Sequence, residues 1–446
     1  MKKLLLTMLG VLMALPAMAR SFEYTYEGQT LSYTVLDEDA KTVETKQGYK
    51  YGSYWMPATE VAGDLVLPSK VYDEDTEYTL ISIGKDSFVS CYDLTSVTIP
   101  NSVTSIDSYA FQYCSGLTSV IIPTSVTEIG KNAFYGCTGL IKSAYPNSLS
   151  NPFKNGVAIA YIPDGSIIEN GWIYGPEKKE IIFAPLSLIG DYTVPETVES
   201  IGSSAFDSCS GLTSVTIPES VTSIGSSAFS GCSGLTSVTI GSKVETIGDD
   251  AFYGCSGLTS VTIPESVTAI GQNAFYGCTG LTSVTIGSKV ETIGFSAFRG
   301  CSGLTSVTIP ESVTEIGNYA FYDCSDLTLV NFNAENCTYC GTYDYPAFPS
   351  KLKEVNIGEN VKIIPNDAFK GCSNLPSVTI GSKVETIGVG AFYGCSSLTS
   401  VIIPNSVTSI GSSAFQDCSG LTSVTIPTSV TTIGSGGFAY CPGLTS

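Results

Sequence analysis

From Gly211 to Cys324 one arrangement of apolar and polar positions recurs along the chain. Each unit runs Leu, two residues, Val, one residue, Ile, then Pro or Gly, then Val, Ile-Gly, Ala-Phe and Cys. Cys209, Cys232, Cys255, Cys278, Cys301 and Cys324 mark it at intervals of 23 residues. A unit this short cannot enclose a core of its own. A strict period of this length therefore predicts a β-rich solenoid, in which neighbouring coils share one interior.

Between Leu212 and Cys232 the alternation predicts a strand with Val215 and Ile217 on one face and Ser214 and Thr216 on the other. Pro218 ends it, because proline brings no N–H to a ladder. Val221 and Ile224 return the chain, and Gly225 marks a turn. Ser227 to Cys232 has room for a single turn of 3₁₀ or α character. Roughly 17 coils, stacked at the spacing of paired strands, would align identical residues into ladders. Phe229, Phe252, Phe275 and Phe298 form the ladder that fills volume, beside Cys232, Cys255, Cys278 and Cys301. Both columns are expected inside, the cysteines as small buried thiols.

The same pattern divides the 446 residues. Residues 1–19 carry Lys2 and Lys3, an apolar run and Ala17-Met18-Ala19, the layout of a secretory signal peptide. Residues 20–79 read as a β-rich cap and a first irregular coil, with Lys46 to Gly52 as turns. Repeats follow over 80–141. Irregular coils with a hairpin-like insertion occupy 142–192. Regular repeats return over 193–330, one irregular coil covers 331–350, and repeats over 351–446 end in mid-unit. Along one edge Pro-Glu-Ser turns at Pro218, Pro264 and Pro310 alternate with Gly-Ser-Lys turns at Gly241 and Gly287, a 46-residue super-period.

Charge narrows the partners. The chain has 21 basic and 41 acidic residues; without residues 1–19 the balance is 19 − 41 = −22. That repels nucleic acid and anionic membrane. Beyond the leader no stretch approaches the length of a transmembrane segment.

Chemistry is nearly absent. With no histidine there can be no Ser-His-Asp triad, Cys-His pair or zinc-protease motif. No residue set calls for a cofactor. Asp37 to Asp39 and Asp73 to Asp75 lack the spacing of a calcium loop and read as solvated turns. Cys337 and Cys340 fall off the cysteine ladder, in a Thr/Tyr/Gly loop. A local disulfide, two thiols and half of a metal or redox site all remain open there.

Two outward columns are candidates for binding. Ser237, Thr239, Ser260 and Thr262 represent a hydroxyl-bearing sheet face, interrupted at Ile121 and Ile402; it suits an extended protein or glycan, or is simply a soluble β surface. Tyr135, Tyr253, Tyr276, Tyr322 and Tyr393 follow the phenylalanines, and exposed tyrosines are enriched in recognition surfaces. Trp172 and Tyr174 mark the first irregular segment, where solenoids project binding loops.

The unit Leu258 to Cys278 resembles the 23-residue leucine-rich repeats of BspA-like bacterial surface proteins, over about residues 64–446. The resemblance implies a right-handed solenoid with a parallel β-sheet on its concave side and short 3₁₀ or helical turns opposite. It also implies an exported, non-catalytic adhesion protein whose partner is a host extracellular-matrix or cell-surface protein. A glycan-binding or nutrient-capture protein, or a spacer without a ligand, are the alternatives.

Overall fold

The computed structural model describes residues 20–45, 49–51, 54–56, 61–140, 142–146, 158–162, 166–169, 172–186 and 188–444. The expected leader, 1–19, lies outside them. The chain divides into two compact units, residues 1–140 with 146–155 and residues 141–145 with 156–446. Both are β-solenoids built on parallel sheets, with about 14 turns in total rather than roughly 17.

In the first unit, strands Ser21–Tyr26, Gln29–Asp37 and Thr42–Thr45 form an antiparallel meander. Its last strand runs parallel to Thr76–Ile83, which passes the pairing to Ser105–Ile106 and Glu128–Ile129. The meander thus occupies the edge that the first coil would leave unpaired. Gly63–Val66 begins the other sheet, parallel to Leu94–Thr98 and then Ser119–Ile121. Within the turns expected at Lys46 to Gly52, Tyr49–Tyr51 is instead a strand, paired antiparallel with Tyr54–Met56; the rest of that stretch lies outside the described residues.

The second unit carries two parallel ladders per coil. One contains the expected strands, from Gly190–Thr193 through Leu212–Thr216 to Ser283–Thr285, and again from Ser306–Ile309 onward. The other is made of two-residue strands such as Ser223–Ile224 and Thr246–Ile247, where the sequence suggested only a returning chain. A pair of residues carries no readable alternation, so the second ladder shows only once coils are stacked.

The expected helical turns are not helices. Among the described residues the only helical stretch is the 3₁₀ turn Pro176–Lys178. In Ser227 to Cys232 alternate N–H groups go to different coils. Ala228, Ser230 and Cys232 donate within their own coil, to Gly225, Ser227 and Phe229. Ser227, Phe229 and Gly231 donate to Asp249, Ala251 and Tyr253 of the next coil, at 2.7–2.8 Å. A 3₁₀ turn would keep every donor local. Left-handed backbone at Ser227 (φ 55°) and Gly231 (φ 69°) produces the alternation; Asp250 and Asn273, residue types that tolerate this region, fill the equivalent first position. The third side of each coil is therefore also hydrogen-bonded to its neighbour.

The glycine after each Ile has a different reason from the turn first assigned to it. A Cβ on Gly271 would meet the Gly248 carbonyl carbon at 2.5 Å and the Asp249 nitrogen at 2.6 Å. Only a residue without a side chain lets the two backbones approach so closely.

Phe229, Phe252, Phe275 and Phe298 are fully buried, as are Cys232, Cys255, Cys278 and Cys301. From Phe206 to Phe438 the rings stack without a gap, with centroids 4.7–5.6 Å apart. Phe348 supplies the rung of the irregular coil, between Phe321 and Phe369. Cys337 and Cys340 lie in this core rather than in a loop. Cys340 pairs in register with Ile316, which sets Cys337 opposite Val313; both are free, fully buried thiols. Cys-x-x-Cys here is the Val-x-x-Ile step of the repeat with sulfur in place of branched carbon.

Candidate binding surface

Most coils turn the same positions outward, so the surface is a set of columns; an exception is Ser119–Ile121 in the first unit, where Ser119 and Ile121, expected on the outward face, are buried. Ser237, Thr239, Ser260 and Thr262 are exposed on the first sheet, paired in register with their equivalents. Beside them threonine hydroxyls donate to the coil before, Thr236 to the Thr213 carbonyl at 2.9 Å and Thr259 to that of Thr236 at 3.1 Å. At the start of the column Asp191 accepts from Thr213 and Ser214 at 2.8 and 2.7 Å. Asp64 does the same for Thr95 and Ser96 in the first unit, at 2.9 and 2.6 Å. This face spends much of its hydrogen-bonding capacity on itself.

The alternating turns also pair with each other. Glu219 accepts from the Ser242 N–H at 3.0 Å and its hydroxyl at 2.6 Å. Glu265 accepts from the Ser288 N–H at 2.7 Å and also from its hydroxyl. The Ser hydroxyl and N–H hold each carboxyl below the usual glutamate range, with the nearby Lys adding to it. The 46-residue super-period is thus a structural pairing of adjacent coils.

Trp172 and Tyr174 are half-buried against the core. Trp172 stacks on Tyr192 at 4.7 Å and meets Phe206 edge-on at 5.8 Å, at the head of the phenylalanine stack. Tyr135, in the first unit, is exposed and edge-on to Tyr113 at 5.7 Å.

The remaining tyrosines gather on the second unit. Tyr253 and Tyr276 stack at 5.0 Å and 7°, so each covers one face of the other. One coil on, Arg299 takes the same place, with its guanidinium 5.8, 5.0 and 5.4 Å from the rings of Tyr276, Tyr319 and Tyr322. Asp323 pairs with Arg299 at 3.4 Å. Such cation–π contacts fix flat side chains at a wet surface. Further along, Lys370 lies over the ring of Tyr343 and donates to its carbonyl, and Tyr343 meets Tyr393 edge-on at 5.8 Å. Burial lowers the Lys370 pKa against the pull of Asp367 and Asp344. Hydrogen bonds to Asp417 and Tyr343 raise the Tyr393 phenol to about 12.

Phe295, Arg299, Tyr343 and Tyr345 were not singled out from sequence. Phe295, Tyr343 and Tyr345 are 43%, 55% and 47% exposed. The available signal was the insertion of about two residues into the irregular coil, with Tyr-Asp-Tyr-Pro inside it. Among the described residues no three potential ligands converge on a metal position, and no helix is long and apolar enough to cross a membrane.

The chain is similar to a leucine-rich repeat protein from Bacteroides ovatus ATCC 8483, at 28% identity over 93% of this chain and 91% of the other, with a TM-score of 0.53. A leucine rich cell surface protein from Faecalibacterium prausnitzii A2-165 is 27% identical over 93% and 94% of the two chains, with a TM-score of 0.34. No curated protein matches. Residues 75–157, 180–302, 269–350 and 347–446 match the BspA type leucine rich repeat region, a family described over six copies. With its periodic Phe and Cys ladders accounted for by that repeat, the chain belongs to the BspA-type leucine-rich repeat family.

Proposed function

We propose that the protein is exported, has no catalytic role, and binds a protein partner at or near the bacterial cell surface. The supporting observation is the group of tyrosines on the second unit, braced by Arg299 and Lys370 on a hydrogen-bonded scaffold. Rigid tyrosines and arginine offer large contact area at small entropic cost, the composition of binding hot spots. The leader pattern at 1–19 and the family support export, and the partner class is an extracellular-matrix or cell-surface protein. Sugar platforms need open aromatic faces, whereas Tyr253 and Tyr276 cover one face of each other and Arg299 approaches the ring of Tyr276. The glycan reading is therefore the weaker one.

The test is binding of the full chain to immobilised matrix proteins, cell-surface proteins and glycans, alongside fractionation of the producing cells. Saturable capture by a protein, with the chain recovered outside the cytoplasm, is the expected result. Capture by glycans alone, or by nothing, removes the proposal.

A further inference from the structure

The irregular coil does more than interrupt the ladder. Tyr339–Thr342 folds back on Tyr345–Pro346 as an antiparallel hairpin, with Gly341 opposite Pro346 and Thr342 opposite Tyr345. Its tip is Tyr343-Asp344, at the surface. Two sides hold the tip. Tyr345 lies edge-on to Tyr319 at 5.4 Å, which continues to Tyr322 and Arg299. Tyr343 meets Lys370 and Tyr393 of the coils that follow. The backbone is equally constrained, since a Cβ on Gly341 (φ +69°) would meet the Ala347 nitrogen at 2.6 Å. The tip thus stays exposed while being fixed in place.

Its charges are unequal in kind. Both local cations are engaged, Arg299 by Asp323 and three tyrosine rings, Lys370 by Tyr343 and by the pull of Asp367 and Asp344. Asp344 stands exposed at the apex, on a chain of net charge −20. An exposed carboxylate at the tip of a rigid aromatic patch complements lysine and arginine side chains. We propose that the Tyr343-Asp344-Tyr345 tip is the centre of a docking surface for a cationic protein segment. This rests on the interaction reading above and names the chemistry of its partner.

A random peptide library displayed on phage, panned on the full chain, tests it. Peptides rich in Lys and Arg should be enriched. Their affinity should fall with added salt and drop at least tenfold on Tyr343→Ser/Tyr345→Ser and on Asp344→Lys. Thermal unfolding of each variant reports whether the fold is kept; Asp344→Lys alters an exposed side chain and decides alone if the double variant unfolds. Enrichment of acidic or uncharged peptides, or equal binding by both variants, overturns the docking site and leaves the interaction reading standing. No enrichment at all overturns both.

Discussion

The Cys278 thiol donates a hydrogen bond to the Phe252 carbonyl of the preceding coil, at 3.2 Å. That carbonyl also accepts from the Cys255 N–H, at 3.2 Å. The same thiol contact recurs from Cys232 to Phe206, Cys255 to Phe229 and Cys301 to Phe275, at 3.0–3.1 Å. Cysteine at this position therefore ties two coils together as well as filling a small volume.

Cys278→Ala should cost about 1–3 kcal/mol, from the lost sulfur packing and the lost donor. Cys278→Ser should cost at least as much. Its shorter bond to oxygen leaves a void and draws a more strongly hydrated group into an apolar column. Urea midpoints of the two variants, measured beside the parent, check the order; a serine variant as stable as the parent would contradict it.

Alkaline pH should destabilise the fold through these thiols. Burial pushes Cys278, Cys337 and Cys372 up to about 12, while an unfolded thiol ionises at about 8.5. The folded state then holds protons that the unfolded state releases. This contribution is intact below about pH 8.5 and is lost as pH rises toward 12. Denaturation midpoints from pH 7 to 11 should fall, and Cys278→Ala should flatten the slope.

Phe298 is stacked on both faces, against Phe275 and Phe321, at 5.1 and 5.2 Å. Phe438 is half-buried and is the last ring of the stack, on Phe415. Phe298→Ala should cost about 3–5 kcal/mol. Phe438→Ala should cost clearly less, because the ring is only half-buried and less apolar surface is lost. Thermal unfolding of the pair makes the comparison.

Glu219, Glu265 and Glu359 each accept from a serine one coil ahead, and each titrates below the ordinary range for that reason. Their contribution is present above the unfolded glutamate pKa and is lost as pH falls through the lowered folded value. A carbon-detected NMR titration should find these three carboxyls among the last to protonate. Ser288→Ala should return Glu265 toward the ordinary value and leave Glu219 unmoved.

The ladders were legible because a fixed period superimposes like residues whatever path the coil takes between them. Phe229 and Cys232 could be placed inside on spacing alone. The path itself was not legible. Whether Ser227 to Cys232 forms a helical turn depends on where each N–H points, and its acceptors at Asp249, Ala251 and Tyr253 belong to another coil. The insertion near 331–350 hid more. A shift of two residues concealed Phe348 as a rung and made the Cys337 and Cys340 positions look like a loop. The binding surface was half visible: Tyr253, Tyr276, Tyr322 and Tyr393 follow the repeat, whereas Tyr343 and Tyr345 reach them only through the hairpin.

Neighbouring coils exchange hydrogen bonds in opposite senses on different sides. Ser227, Phe229 and Gly231 donate forward to the next coil, whereas Thr222 and Gly225 donate backward to Glu199 and Ile201. Peptide dipoles on the two flanks therefore oppose one another, unlike those of a helix, which add along its axis. A scaffold wired this way gains less end-to-end polarity from each added coil than one whose bonds all run the same way, so the electrostatics of its surface are left largely to the side chains that each coil carries.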